Sequence, residues 1–546
     1  MYFRLTGCKP VHLKNKYAKR TLHMNILFVS AENGALPGGK VGGIGDVVFH
    51  LPPALAKLGH QIVVLTPSHG FLHQLNSENP RPENFAFLFQ GYEHQGQLYE
   101  IFPEKHEPGV RHMVIDHPLL ASPDPLTGQS RIYTDDPPDT PFATDATRFA
   151  LFCAAVSELV IAGLAGTFQC IHLHDWHAAL IAFLRQFSLR HKALQSIPTV
   201  YTIHNLGIQG IRPLRGHASS LEAWFPGMPY DWEKVADPRW HDCVNTMAVG
   251  IRLSDKVNTV SPSYALEIRE SSRRPVFYGG EGLELDLKQA SSEKRLVGIL
   301  NGCNYDESLK SPEQDYLEML SIFKAAVQKW AGIKRNLDTA HFIAYTRLLE
   351  LEKRSKAPEI VLSFVGRVVD QKLLILLAAG SDGKSGLEAV LDFLKTRGCL
   401  FILGSGDSDF EGNLIRMSSM HENLIFLNGY SDPCADILYS SGDLFLMPSS
   451  YEPCGISQLL AMREGQPCVV HRVGGLKDTV RHGENGFSFE GKTLEQQVDN
   501  FVKTTTKAIS LKLSGSDQWA RICRNASKTR FTWKQSAEQY VSNLYS

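Results

Sequence analysis

Apolar positions along this chain come in short unbroken runs, and most of the runs stop at glycine, histidine or a charged residue. Asn25–Ala31, Gln61–Leu65, Pro198–Ile203 and Lys256–Val260 form one series, and Glu359–Val365, Leu400–Leu403, Leu424–Leu427 and Leu444–Met447 form a second. Continuous runs of this length suit parallel strands covered on both faces. Helical spacing fills the gaps: Leu51, Leu55 and Leu58 follow a glycine-rich loop, and Arg148–Gly163 reads as one long apolar helix. Strand, glycine loop, helix, strand is a βαβ unit. Residues 70–140, rich in Pro, His and Asp, read as less regular. Pro52-Pro53 predicts a kink or restart in the first helix.

The expected fold class is α/β, with two doubly wound Rossmann-like units. The expected division is an extension over 1–23, a first domain over 24–297, a second over 298–530, and a C-terminal helix over 531–546 that packs back across both. Val297–Gly302 reads as the hinge, 306–358 as charged helix, and Trp533–Tyr545 as the final helix.

Composition narrows the function. At 546 residues one core is not enough. A net charge of -1 argues against nucleic-acid or membrane-surface binding by bulk electrostatics, and favours a neutral or small anionic substrate. Ten cysteines without a C-x-x-C pair suggest neither zinc site nor disulfide framework, so a reduced, cytoplasmic setting is expected. No run has the roughly 18 apolar residues of a membrane span. Residues 1–23 carry six Lys/Arg and no acid, and read as an extension or upstream start rather than a targeting peptide.

The chemistry gathers where strands end. Glu452-Pro453-Cys454-Gly455 sits between the run Leu444–Met447 and a helix-like run, Ile456 to Glu464. In open α/β sheets ligands bind at this level, and a helix N-terminus offers N–H groups to an anion. Gly474-Gly475 opens another helix in the same way. The plainer alternative is a capping glutamate and two ordinary turns. Lys40, Gly42, Gly43 and Asp46 lie in or just after a glycine loop that lets backbone approach a ligand. Arg367 and Lys372 closely follow a strand and suit a diphosphate leaving group, or else make surface ion pairs. Tyr430 either stacks on a flat ring or caps the core. His172-Leu173-His174-Asp175-Trp176-His177 raises the question of metal. His172 and His174 share one strand face, however, and no third ligand is evident, so a substrate-contacting loop is favoured. His204-Asn205 and Ser261-Pro262 end further strands.

Taken in order, these motifs resemble the bacterial glycogen synthase and plant starch synthase family. They are Lys40-Val41-Gly42-Gly43-Ile44-Gly45-Asp46, His172 to His177, Thr202-Ile203-His204-Asn205, Val260-Ser261-Pro262, Ile299-Leu300-Asn301-Gly302, Arg367 with Asp370-Gln371-Lys372, Glu452 to Gly455, and Gly474-Gly475-Leu476. The resemblance implies the GT-B architecture, with the active site in the cleft between the domains. It also implies transfer of glucose from ADP-glucose to the non-reducing 4-OH of an α-1,4-glucan, with retention and without cofactor or metal. It would place His174 at the sugar, Arg367 and Lys372 at the departing ADP, Tyr430 on adenine, and Glu452 on the donor. Lys40 with Gly42 and Gly43, and the backbone around Cys454, Gly455, Gly474 and Gly475, would bind donor phosphate and sugar. Asp46, Asp145, His204 and Asn205 would contact the acceptor or support the loops.

The chain departs from the family pattern in places. Thr144 and Asp145 stand where an Asp-Asn pair is usual before Arg148-Phe149, Asn304 ends an Asn-Gly-x-Asp motif, and Leu373 follows Lys372 in place of glycine. Two alternatives follow: a glycosyltransferase for another nucleotide sugar or acceptor, or a catalytically weak glucan-binding regulator. Leu460, where many relatives of the first kind carry a second Glu, favours the synthase type. A phosphorylase-like enzyme finds no lysine motif for a pyridoxal cofactor.

Overall fold

A computed structural model describes residues 23–75, 82–123, 128, 130–305, 316–333, 338–354 and 356–546. The expected extension therefore lies outside the described residues, apart from His23. Among the described residues seventeen strands run in chain order. They are β1 (Asn25–Val29), β2 (Gln61–Pro67), β3 (Glu83–Phe89), β4 (Tyr92–Ile101), β5 (Val110–Asp116), β6 (Cys170–His174), β7 (Thr199–Ile203), β8 (Ile211–Pro213), β9 (Cys243–Asn245), β10 (Lys256–Thr259), β11 (Leu296–Gly298), β12 (Ile360–Val365), β13 (Gly398–Gly404), β14 (Leu424–Asn428), β15 (Leu444–Met447), β16 (Cys468–His471) and β17 (Phe487–Phe489).

The first sheet has nine strands in the order β11-β10-β7-β6-β1-β2-β5-β4-β3; the second has six, β14-β13-β12-β15-β16-β17. The second is parallel throughout, and the first is parallel except where β4 meets β3 and β5. Helices cover both faces of each sheet, so β1, β6, β7, β12, β13 and β15 are buried without alternation.

The stretch read as irregular holds β3, β4 and β5. In β3 Phe85, Phe87 and Phe89 are buried while Asn84, Ala86 and Leu88 face outward, so only one face meets the core. Such alternating strands give no continuous apolar run.

The helix Gly43–Ala56, α1, runs through Pro52 and Pro53 as one element, without a restart, and stops short of Leu58. Each proline costs a helix interior about 3 kcal/mol. Val47, Val48, Leu51 and Leu55 are all buried, at about 1.5–3 kcal/mol each, which is enough to hold the helix together. The final helix, Trp533–Asn543, packs along α1. Beyond it the Tyr545 hydroxyl meets His172 Nδ1 at 2.6 Å under the first sheet.

Several contacts join the two units. Ser261 Oγ donates to Pro453 O (2.6 Å), the Ser263 N–H and hydroxyl donate to Asp478, and Tyr278 stacks on Tyr451 with centroids 4.6 Å apart. No helix among the described residues is long and apolar enough to cross a membrane.

Candidate active site

Both sheets reverse their winding at one seam. In the first sheet β1 lies between β2 and β6, and in the second β12 lies between β13 and β15. Loops leaving the two strands at such a seam diverge and open a crevice at their carboxyl ends. The glycine loop leaves β1 and His174 ends β6; Arg367 and Lys372 follow β12, and Glu452 follows β15. These candidates thus fall at the two switch points of the two sheets, whereas Tyr430 follows β14, Gly474 follows β16 and His204 follows β7. Asp46 joins them across the gap: the phenols of Tyr430 and Tyr439, in the second unit, are raised by burial first and then by nearby groups that include Asp46.

The glycine loop is shaped from beneath by Glu32, which the sequence reading did not single out. Its carboxylate is buried and accepts hydrogen bonds from the N–H groups of Val41, Gly42 and Gly45 and from the Tyr133 hydroxyl, at 2.8–3.2 Å. The helix begins at Gly43, so Asp46 sits in its first turn and holds Lys40 Nζ at 2.5 Å. Burial raises the Asp46 carboxyl, and Lys40 opposes the rise.

His174 is fully buried. Its Nδ1 meets His204 Nε2 at 2.9 Å, and its Nε2 has no partner. Burial first, and the neighbouring His172 and His204 second, hold its pKa well below the usual imidazole range; burial brings His204 down to about 3. Both rings are therefore neutral at physiological pH, and one donates to the other. Asp175, at φ +54°, accepts the His204 N–H at 2.9 Å, and burial raises its carboxyl to about 8. His172 stacks on His174 with ring centroids 4.4 Å apart, while Tyr545 and Thr202 take both its ring nitrogens, so it also anchors the C-terminal tail.

On the second sheet Glu452 is buried, and it pairs with Lys372 and accepts from Ser449 Oγ (3.1 Å). Arg367 is exposed at the cleft. Tyr430 is 62% exposed, and its hydroxyl donates to Asp432 at 2.7 Å, leaving the ring open. Gly455 and Gly474 have φ of +77° and +42°, and a Cβ on Gly474 would lie 1.9 Å from Glu452 O. Cys454 is buried, and a Cβ on Gly475 would lie 2.2 Å from its carbonyl oxygen.

One expectation changes here. The amides at Gly474-Gly475 were expected to face a donor. Instead Gly475 N–H donates to Glu452 O (3.1 Å), and Gly474 N–H donates to the Glu267 carboxylate (2.9 and 3.0 Å). Glu267 reaches over from the first unit, and burial raises its pKa to about 7.

The acceptor-side candidates separate as well. Asp145 is buried and pairs with Arg148 at 2.8 Å while accepting the Thr134 N–H, so it faces the interior. Arg148 continues to His69 Nδ1 (3.0 Å), and His69 Nε2 meets Ala31 O (2.9 Å), which closes a buried ring back to the Glu32 segment. Thr144 does carry a carboxylate, but a borrowed one: its N–H and hydroxyl hold Asp136 at 2.9 and 2.6 Å. Asn205 is half-buried beside Tyr451, and its Oδ1 accepts the Gly207 N–H at 2.8 Å. Among the described residues no group of three His, Cys, Asp or Glu side chains is placed to hold a metal.

Glu32, Asp136 and Glu267 are among the polar residues that sequence alone did not select, and Asp175 stood out only as part of its motif. Only Asp175 and Glu32 carried a signal, as acids beside a strand end and a glycine loop.

Comparison with known proteins agrees with this geometry. Residues 25–289 match the starch synthase catalytic domain, and residues 346–515 match glycosyl transferases group 1. A glycogen synthase from Hydrogenobaculum is 32% identical over 95% of this chain and 98% of its own length; one from Streptococcus equi subsp. equi is 31% identical over 96% and 99%. The catalytic domain of starch synthase IV from Arabidopsis thaliana, solved with ADP and acarbose bound, superposes with a TM-score of 0.71 at 26% identity, over 95% of this chain and 98% of that one. Sucrose-phosphate synthase from Thermosynechococcus elongatus shares the fold, with a TM-score of 0.52 at 16% identity over 96% and 98%. With its two switch-point loops meeting in one GT-B cleft and its likeness running nearly end to end, this chain belongs to the glycogen synthase and starch synthase family of glucosyltransferases.

Proposed function

We propose that the protein transfers glucose from ADP-glucose to the non-reducing 4-OH of an α-1,4-glucan with retention, without cofactor or metal, in the cytoplasm. The observation that carries this reading is the division of charge across the cleft. Fixed cations, Lys372 and Arg367, stand on one wall, and the neutral, open-ended His174 stands on the other. Glycosyl transfer leaves negative charge on a departing diphosphate while the sugar becomes cation-like, so preorganised charge supplies much of the catalysis.

In this reading Arg367 and Lys372 neutralise the diphosphate, and Glu452 positions both Lys372 and the donor. His174 Nε2 contacts the sugar, with His204 fixing its ring. Lys40, released from Asp46, reaches the donor phosphates over Gly42 and Gly43. Tyr430 stacks on adenine through its open face. Gly455, beside Cys454, gives the backbone close access to the donor. Gly474 does so once Glu267 withdraws, and Gly475 stays tied to Glu452 O as a support. Asp145 supports the first domain through Arg148, and Asp136, held by Thr144, presents the acceptor-side carboxylate. Asn205 lies toward the acceptor. The domains divide near 297/298, with the segment from 531 returning to the first. The solved relative with ADP bound supports an adenine nucleotide.

Labelled ADP-glucose or UDP-glucose, incubated with purified protein with and without glycogen, tests this directly. Incorporation from ADP-glucose that requires glycogen is expected, and no transfer from either donor sinks the reading.

A further inference from the structure

Away from the catalytic side chains, one surface segment holds aromatic rings that the fold does not bury. Trp240 is 52% exposed and Trp232 is 44% exposed. Neither is a loose surface residue. Trp232 Nε1 donates to His241 O at 3.0 Å, and the His241 ring stands edge-on to it, with centroids 5.5 Å apart at 88°. The Arg239 guanidinium lies 4.5 Å from the centre of the Trp240 ring and backs one of its faces. Arg239 is itself fixed by Asp237 and by Gln209 Oε1 (2.9 Å), and the Trp240 N–H is held by Asp237 at 3.0 Å.

The segment is joined to the catalytic loop. Gln209, which holds Arg239, also donates to Leu206 O and Glu281 O. Leu206 follows His204 and Asn205 in the loop after β7, and Ile208, 47% exposed, lies between Leu206 and Gln209. Through Gln209 the Trp-bearing segment is therefore tied to the loop that carries His204 and Asn205.

The geometry points to a glucan-stacking site formed by Trp240 and Trp232, continuing the acceptor path out of the cleft. This assignment rests on the α-1,4-glucan acceptor proposed above. A pyranose ring has an apolar C–H face and a rim of hydroxyls, and aromatic faces held rigid in water match that face at little entropic cost. The hydrogen bond of Trp232 and the guanidinium behind Trp240 lock the rings without covering their outer faces. Arg239, His241 and Asp242, all exposed or partly so, supply a polar rim for the hydroxyls. Continuity with the catalytic loop selects a long polymer over an unrelated partner: a chain with its end at His174 and Asn205 must leave the cleft across some surface.

The test uses the full-length protein, with Trp240→Ala, Trp232→Ala, the double variant and Trp240→Tyr. Retardation in native gels containing glycogen and KM for glycogen are measured beside kcat and KM for ADP-glucose with maltotriose. The double variant should bind glycogen about tenfold more weakly, with donor KM and maltotriose turnover unchanged and Trp240→Tyr partly restored. Wild-type glycogen affinity in the double variant overturns the site. So does an unchanged affinity accompanied by a shift in oligomeric state, which would assign the rings to a second copy. If the wild type is held by glycogen through these residues yet transfers glucose from no donor, the enzyme reading fails and the site stands. If transfer is normal and the double variant keeps its glycogen affinity, the site alone fails. Trp240→Tyr retains an aromatic face, so recovery there separates stacking from misfolding.

Discussion

The two walls of the cleft are built from the same topological device and filled with opposite chemistry. After β6 and β7 the side chains are buried and neutral: His174 and His204 lie far below their ordinary pKa values, and Asp175 is raised to about 8, all first through burial, with the Lys40–Asp46 pair of the loop after β1 as the ionic exception on this wall. After β12 and β15 the groups are ionic: Lys372 pairs with Glu452, and Arg367 stays exposed. A group that must answer charge appearing on a leaving diphosphate needs permanent charge. A group beside a sugar that turns cation-like is better neutral and directional. In the proposed reaction, the same crevice at two switch points serves two tasks.

The sharpest way to break this comparison is to remove the ionic wall. Lys372→Ala and Glu452→Ala should each lower kcat by about 10²–10³-fold or more, with the protein still folded by circular dichroism. Thermal unfolding is measured alongside, because each change strands a largely buried charge. Near-normal rates in both would remove the ionic wall from catalysis.

The neutral wall should respond less. His174→Ala is expected to lower kcat by about tenfold to a hundredfold. Because burial keeps His174 neutral, the wild-type kcat profile from pH 6 to 8 should show no step that disappears in His174→Ala. Such a step would mean a charged imidazole and would collapse the contrast.

Glu32→Gln probes what shapes the neutral wall. The amide has one acceptor oxygen where the carboxylate serves the glycine-loop N–H groups and Tyr133. About 1–3 kcal/mol of stability should be lost, with donor KM raised more than acceptor KM. Equal changes in both would make Glu32 a general core residue.

The smallest effect concerns the seam between the walls. Glu267 is raised from 4.5 to about 7 where it meets Gly474 N–H. A raised carboxyl contributes fully below about pH 4.5, and its contribution is lost as pH rises through about 7. Glu267→Gln stays uncharged, so it should match wild type in unfolding temperature near pH 5 and exceed it by a few degrees near pH 8. A gap of constant size across that range would exclude Glu267 ionisation as its cause.

Most of the parallel strands were legible because burial on both faces leaves an apolar signature that local sequence carries, whereas β5, β16 and β17 were not read and β11 lies in the stretch read as a hinge. β3 and β4 were not legible, because one-sided strands alternate and their partners decide their pairing. At the site, Lys40, His174, Arg367, Lys372 and Glu452 were visible as polar residues at strand ends. Asp145 was visible too, but its direction was not: a one-residue offset on a helix turns a side chain by about a quarter of a turn or more, and here it points to Arg148.

The sequence by itself determined where strands end and which reactive groups stand there, because runs, glycines and charges are local properties. Only the tertiary structure decided which ends share a crevice, since strand order is a matter of long-range pairing. It also decided that Glu32 grips the glycine loop, that Asp136 sits on Thr144, and that Glu267 occupies the Gly474 amide. These are contacts between residues far apart or on separate turns, and each is set by which buried donor is left needing a partner once the sheets have packed.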